Sequence, residues 1–209
     1  MGLIVKEKGV SAPPIDEGIY QAVCYCVIDL GTHFDQKWEK DSHKLHIGWE
    51  IPELRIMVDR DGVKVDLPRV ISNRYTLSLG ERATLRKHLE AWRGKKFTST
   101  ELEGFDIFSV LGANAQIQVT HSTSADGSRV YANIGAIMAI PKTMVSLKPE
   151  NPPEVFSLAD CSAEDPLPDV PEWLQEIIAD SNEWKALQGL LKLDKKEPSH
   201  FDDKDDIPF

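Results

Sequence analysis

Cysteine is scarce in this chain of 209 residues: there are three, an odd number that builds no disulfide framework. Two of them, Cys24 and Cys26, stand two apart in a strand-like run, where they are expected to share one face. Together with His43 and His46 they would make C-x-C plus H-x-x-H, which departs from zinc-ligand spacings. Small buried side chains explain them better, and no metal or cofactor is expected. Long apolar runs are also missing. None approaches the roughly 20 residues that cross a bilayer. The opening MGLIVKEKGVSAPP lacks the apolar stretch of a secretory signal, and Lys6 stands where myristoylation needs Ser or Thr. A soluble, cytoplasmic protein is the expectation.

Enzyme signatures are lacking as well. There is no G-x-x-x-x-G-K-[ST] phosphate loop, no G-x-G-x-x-G after a strand, no H-E-x-x-H and no G-x-S-x-G. Asp59-Arg60-Asp61-Gly62 opens like a calcium loop but has no glutamate at its twelfth position, so it reads as a hairpin turn. A non-enzymatic protein is expected.

Basic excess is missing from the whole chain, whose net charge is −10, but that mean hides a partition. Residues 1–150 carry 19 basic and 19 acidic side chains; the last 59 carry 5 and 15. All the surplus negative charge lies in a C-terminal arm attached to a neutral body. The acidic isoelectric point therefore does not argue against a nucleic-acid-binding body.

Hydrophobic periodicity organises that body. Residues 1–17 form a leader without period. In GIYQAVCYCVIDLGT, Tyr20, Ala22, Cys24, Cys26, Ile28 and Leu30 alternate with Gln21, Val23, Tyr25, Val27 and Asp29, the period of a strand. HKLHIGWEI repeats it, with Leu45, Ile47, Trp49 and Ile51 inward and Lys44, His46, Gly48 and Glu50 outward. PRVISNRYTLSLG gives a third strand, with Ile71, Tyr75, Leu77 and Leu79 inward and Arg74 and Thr76 outward. ERATLRKHLEAWRG then switches to helical spacing through Leu85, Leu89 and Trp92, with Gly94 as the stop. FDIFSVLG reads as a short helix or turn. AQIQVTHST and SRVYANIGAIMAI are two more strands joined by an Asp126-Gly127 hairpin.

Three strands, a helix and two strands is the plan of the OB-fold, a five-stranded Greek-key barrel whose exposed face binds oligonucleotides. The expectation is thus a mainly β protein with helices: an OB barrel over 18–147, with its helix between strands three and four. A proline-rich connector and helical extension follows over 148–193, where Pro171 starts a helix and Trp173, Leu174, Ile177 and Ile178 share a face. A second helix carries Trp184, Leu187, Leu190 and Leu191. Residues 194–209 are expected to be a disordered acidic tail.

Binding a single strand needs cations along the phosphate path and aromatic faces for unpaired bases. RATLRKHLEAWRGKKFTS offers Arg82, Arg86, Lys87, Arg93, Lys95 and Lys96, interleaved with Trp92 and Phe97. Outward candidates on the strands are Tyr25, Lys44, His46, Arg74 and Tyr131. A basic helix face is also a common solvated surface, and Trp92 fits a core stripe equally well.

The chain ends in FDDKDDIPF. This resembles the C-terminal tip of bacterial single-stranded DNA-binding proteins, an acidic run followed by Ile-Pro-Phe. Asp202, Asp203, Asp205, Asp206, Ile207, Pro208 and Phe209 carry the likeness, and Lys204 interrupts it. GIYQAVCYCVIDLGTH, HKLHIGWEI, TLRKHLEAWRGKKFT and PEWLQEII are similar to phage- and prophage-encoded proteins of replication or recombination modules. The resemblance implies a protein that coats single-stranded DNA and recruits replication, recombination or repair enzymes through the tip. Phe209 would fill a pocket and its carboxylate would meet a cation. Members of the bacterial family work as multimers, so a homo-oligomer stays open. The rival reading is an adaptor whose barrel binds no DNA and whose tip recruits or blocks host repair and replication proteins.

Overall fold

The computed structural model describes residues 12–36, 38–60 and 62–194. The acidic tip from Asp202 to Phe209 lies outside the described residues, as does most of the leader.

Six strands form one sheet: β1 (Gly18–Asp35), β2 (Lys40–Arg60), β3 (Val63–Thr76), β4 (Asn114–Thr123), β5 (Val130–Met138) and the short β6 (Glu154–Phe156). The five long strands run in the order β3-β2-β1-β4-β5 with antiparallel neighbours. The sheet curls until β3 approaches β5. β1 is shared along its length. Its first part, Gly18–Val23, pairs with β4; further on, Cys26–Ile28 pairs in parallel with β6, while β2 lies on the other side. Between β3 and β4 come α1 (Thr84–Arg93), α2 (Ser99–Glu103) and a single 3-10 turn at Ile107–Val110. After β6 come a 3-10 turn at Leu158–Asp160, α3 (Glu172–Ala179) and α4 (Asn182–Asp194), the last elements among the described residues.

α1 closes the curled sheet from inside. Leu85, Leu89 and Trp92 recur at helical spacing and are buried against Ile47, Trp49, Ile71, Ile117 and Ile137. The helix stops where expected. Gly94 takes a left-handed φ of 66°, and its N–H bonds back to the Ala91 and Glu90 carbonyls. Leu77, expected inward, lies beyond the end of β3 and is exposed, whereas Leu79 packs on the core.

One expectation about β1 is corrected. Cys24 and Cys26 do not share a face, because the register slips between them and Tyr25 forms a bulge. Ala22, Cys24 and Val27 therefore enter the core inside the curled sheet, while Cys26, Ile28 and Leu30 point outward. That outer stripe is not exposed. Leu158, Leu174, Ile178 and Trp184 pack on it and form a second apolar core, so both faces of mid-β1 are buried. This is why Val23 and Val27 on the supposedly polar side are apolar too.

Polar contacts anchor the extension. Thr32 donates to Glu183 on α4 from its N–H at 2.7 Å and from its hydroxyl at 2.5 Å. Asp29 accepts from the Leu158 N–H and pairs with His43 at 2.6 Å. Glu50, fully buried, accepts from the Glu150 and Asn151 N–H groups and from the Asn151 side-chain amide, at 2.6–2.9 Å. Gly31 sits at a second slip in β1 with φ +75°; a Cβ there would lie 2.5 Å from that of Ser181, so only glycine lets the helices seat this closely. Among the described residues no helix is long and apolar enough to cross a membrane.

Candidate nucleic-acid interface

The outer face of β2 and β3 carries the open surface. Register places Lys44 opposite Thr76, His46 opposite Arg74 and Gly48 opposite Ser72, all pointing away from the core. α3 runs alongside this face. Its Leu174 and Ile178 turn to β1, which leaves Trp173, Glu176, Ile177 and Asp180 on the stripe beside β2 and β3.

Two clefts lie here. One, of about 540 Å3, is lined by Leu30, Lys44, Arg74 and Thr76 on the sheet side and by Glu176 and Ile177 on α3. The other, of about 970 Å3, runs from Trp38 at the β1–β2 turn past Arg74 and Ser78 to Arg82 ahead of α1. Arg74, Tyr75 and Thr76 border both, so the two clefts adjoin at the end of β3. Trp38 is 64% exposed and stands at one end; Trp173 is 47% exposed and flanks the other. Trp173 meets the His46 ring edge-on at 5.4 Å. Beneath it His46 is only 5% exposed, and burial, reinforced by Arg74, pushes its pKa down to about 4. The ring is therefore neutral at pH 7 and adds no charge to the groove.

The cations differ in freedom. Among the described residues Arg74 has no ion pair and no side-chain hydrogen bond, so its guanidinium is available to an incoming anion. Lys44 donates to the Thr76 hydroxyl at 3.2 Å and stands 3.9 Å from Asp35. Thr76 in turn shares a hydrogen bond with Ser42 at 3.3 Å. A guanidinium, an ammonium and two hydroxyls between exposed indoles can hold a phosphodiester chain while bases stack.

The basic helix fares differently from its expectation. Trp92 and Phe97 are core residues, 5% and 7% exposed, and cannot serve as stacking platforms. The Trp92 indole N–H is satisfied by the Asn114 carbonyl at 2.8 Å. Arg86 is held by Glu90 at 3.0 Å and by the Leu79 carbonyl. Arg93 pairs with Glu101 and lies over the Phe97 ring at 4.4 Å. These two arginines brace the turn after α1. Lys87, Lys95 and Lys96 are exposed but line neither part of the groove, Lys95 bordering a separate cleft of about 430 Å3. Tyr131 is exposed on β5, away from the groove, and Tyr25 is half-buried at the bulge against the extension. His46, expected outward, does lie on the outer face of the sheet but is covered by Trp173.

Of the thirteen expected residues, Lys44, Arg74 and Arg82 thus line the two adjoining clefts, with Arg74 in both. Thr76 and Trp38 join them, and Trp173 stands nearby on His46, none of the three singled out as a binding residue. Trp38 carries a signal: a large ring in the polar turn HFDQKWEK, outside any apolar period. The sequence places Trp173 in an apolar helical stripe with Leu174, Ile177 and Ile178. Among the described residues no group of three or more His, Cys, Asp or Glu side chains is placed to hold a metal ion. No family model matches the chain, and no curated protein matches it.

Proposed function

We propose that this protein is an OB-type barrel that binds single-stranded DNA along the β2–β3 groove and recruits replication or recombination enzymes through its Asp-rich, Ile-Pro-Phe tip. The strand order, with a helix between β3 and β4 and with β3 curling toward β5, supports the OB assignment. The observation that carries the binding reading is Arg74, free of any carboxylate among the described residues, bordering two adjoining clefts, one of them lined by exposed Trp38, with exposed Trp173 on the neighbouring His46. A groove that reads phosphates and ring faces, with few base-edge contacts, coats single strands largely without regard to sequence. The four aspartates among residues 202–206 suit the second task, since an anionic tip is drawn to basic protein pockets.

Titration with fluorescein-labelled oligo-dT over a salt series tests this. Arg74, Lys44 and Arg82 neutralise about three phosphates, so log affinity should fall against log salt with a slope of about −2. The K44A/R74A double variant should bind more weakly, with its slope reduced to about −0.7. Oligo-dT binding that is absent at low salt refutes the reading and leaves the adaptor role for the tip.

A further inference from the structure

We propose that the part of the groove beneath α3 is a subsite for a guanine base; this deepens the single-strand-binding reading and rests on it. Arg74 and Glu176 line the same cleft of about 540 Å3, yet they form no ion pair with each other. Among the described residues neither side chain has another partner. The cleft's other carboxylate, Asp180, is already held by Lys185 at 2.5 Å. A free guanidinium and a free carboxylate across one cleft suit a ligand that is anionic at one end and a hydrogen-bond donor at the other. A nucleotide is such a ligand: its phosphate would face Arg74 and Lys44, and its base would point toward α3.

The carboxylate then selects the base. An ionised carboxylate offers only acceptors, two oxygens side by side. Guanine alone among the DNA bases presents two adjacent donors, N1–H and the 2-amino group, and so makes two parallel charge-assisted hydrogen bonds. Adenine and cytosine place a ring acceptor next to their amino group, which would face the second carboxylate oxygen. Thymine has one N–H between two carbonyls. Leu30 and Ile177 supply apolar walls for the ring system.

The test compares full-length protein on oligo-dT, on the same strand with one central guanine, and on that strand with hypoxanthine, which lacks the 2-amino group. The guanine strand should bind about tenfold tighter than oligo-dT, the size of a good bidentate contact, and hypoxanthine should lose most of that gain. In the Glu176→Gln variant the ratio between guanine and thymine strands should fall to about one. If oligo-dT binds but guanine gives no gain, or hypoxanthine equals guanine, the subsite is refuted while the binding reading stands. If no strand binds, both fall together. The hypoxanthine comparison uses the unaltered protein, so the outcome does not depend on how the variant folds.

Discussion

Replacing Trp173 by alanine removes the indole that flanks the groove and covers His46. Unpaired bases gain about 1–3 kcal/mol from stacking on one aromatic side chain, so the variant should bind oligo-dT about 5- to 150-fold more weakly. The loss should reside mainly in the dissociation rate, because the cations that attract the strand are untouched. About half of the ring is already exposed, so the fold should lose only about 2 kcal/mol. A second readout is independent of DNA. His46, held at about 4, binds no proton in the folded state at pH values where the unfolded chain, with an ordinary pKa near 6.5, already does. Between those values the unfolded state holds the extra proton, so stability falls as pH drops from about 6.5 to about 4, by roughly 3 kcal/mol in total. Uncovering the ring raises its folded pKa and narrows that window. Urea melts at pH 7 and pH 5, with an oligo-dT titration of the same samples, measure both effects. A folded Trp173→Ala protein that binds oligo-dT as tightly as the parent would refute the groove assignment.

Two further substitutions probe how the extension is held. Gly31→Ala forces a side chain into left-handed backbone against Ser181, and should cost about 1–3 kcal/mol and open the 150–172 connector to limited proteolysis before the curled sheet unfolds. Glu50→Ala leaves the Glu150 and Asn151 N–H groups without their buried acceptor, at about 1–3 kcal/mol each, and should lower Tm by several degrees. Faster amide exchange at those two positions would mark the loosened anchor. A Tm equal to that of the parent would mean that the connector is not held there.

Local periodicity exposed much of the curled sheet and its helix. The alternation in β1 and β2, the Leu85–Leu89–Trp92 stripe and the Asp126-Gly127 turn all correspond to elements at those places. The same stripe marked Trp92 as core, and the structure follows that signal over the competing charge pattern around it. What local pattern could not show was the bulge at Tyr25, since alternation continues unbroken in sequence while the pairing register slips. Nor could it reveal that the extension covers β1. Glu50 meets Asn151 across 101 positions and Thr32 meets Glu183 across 151, and no window of residues contains both partners. The groove was half visible for the same reason: Arg74 and Lys44 follow from strand alternation, but Trp173 and Glu176 reach them only through tertiary packing of α3.

Photo-crosslinking of a 5-bromodeoxyuridine oligonucleotide to the full-length protein, followed by peptide mapping, locates the bound strand directly. Adducts concentrated on the peptides that carry Trp38, Arg74 and Trp173 are the predicted result. Adducts confined to the 86–97 segment or to Tyr131, with those three peptides unmodified, would contradict it.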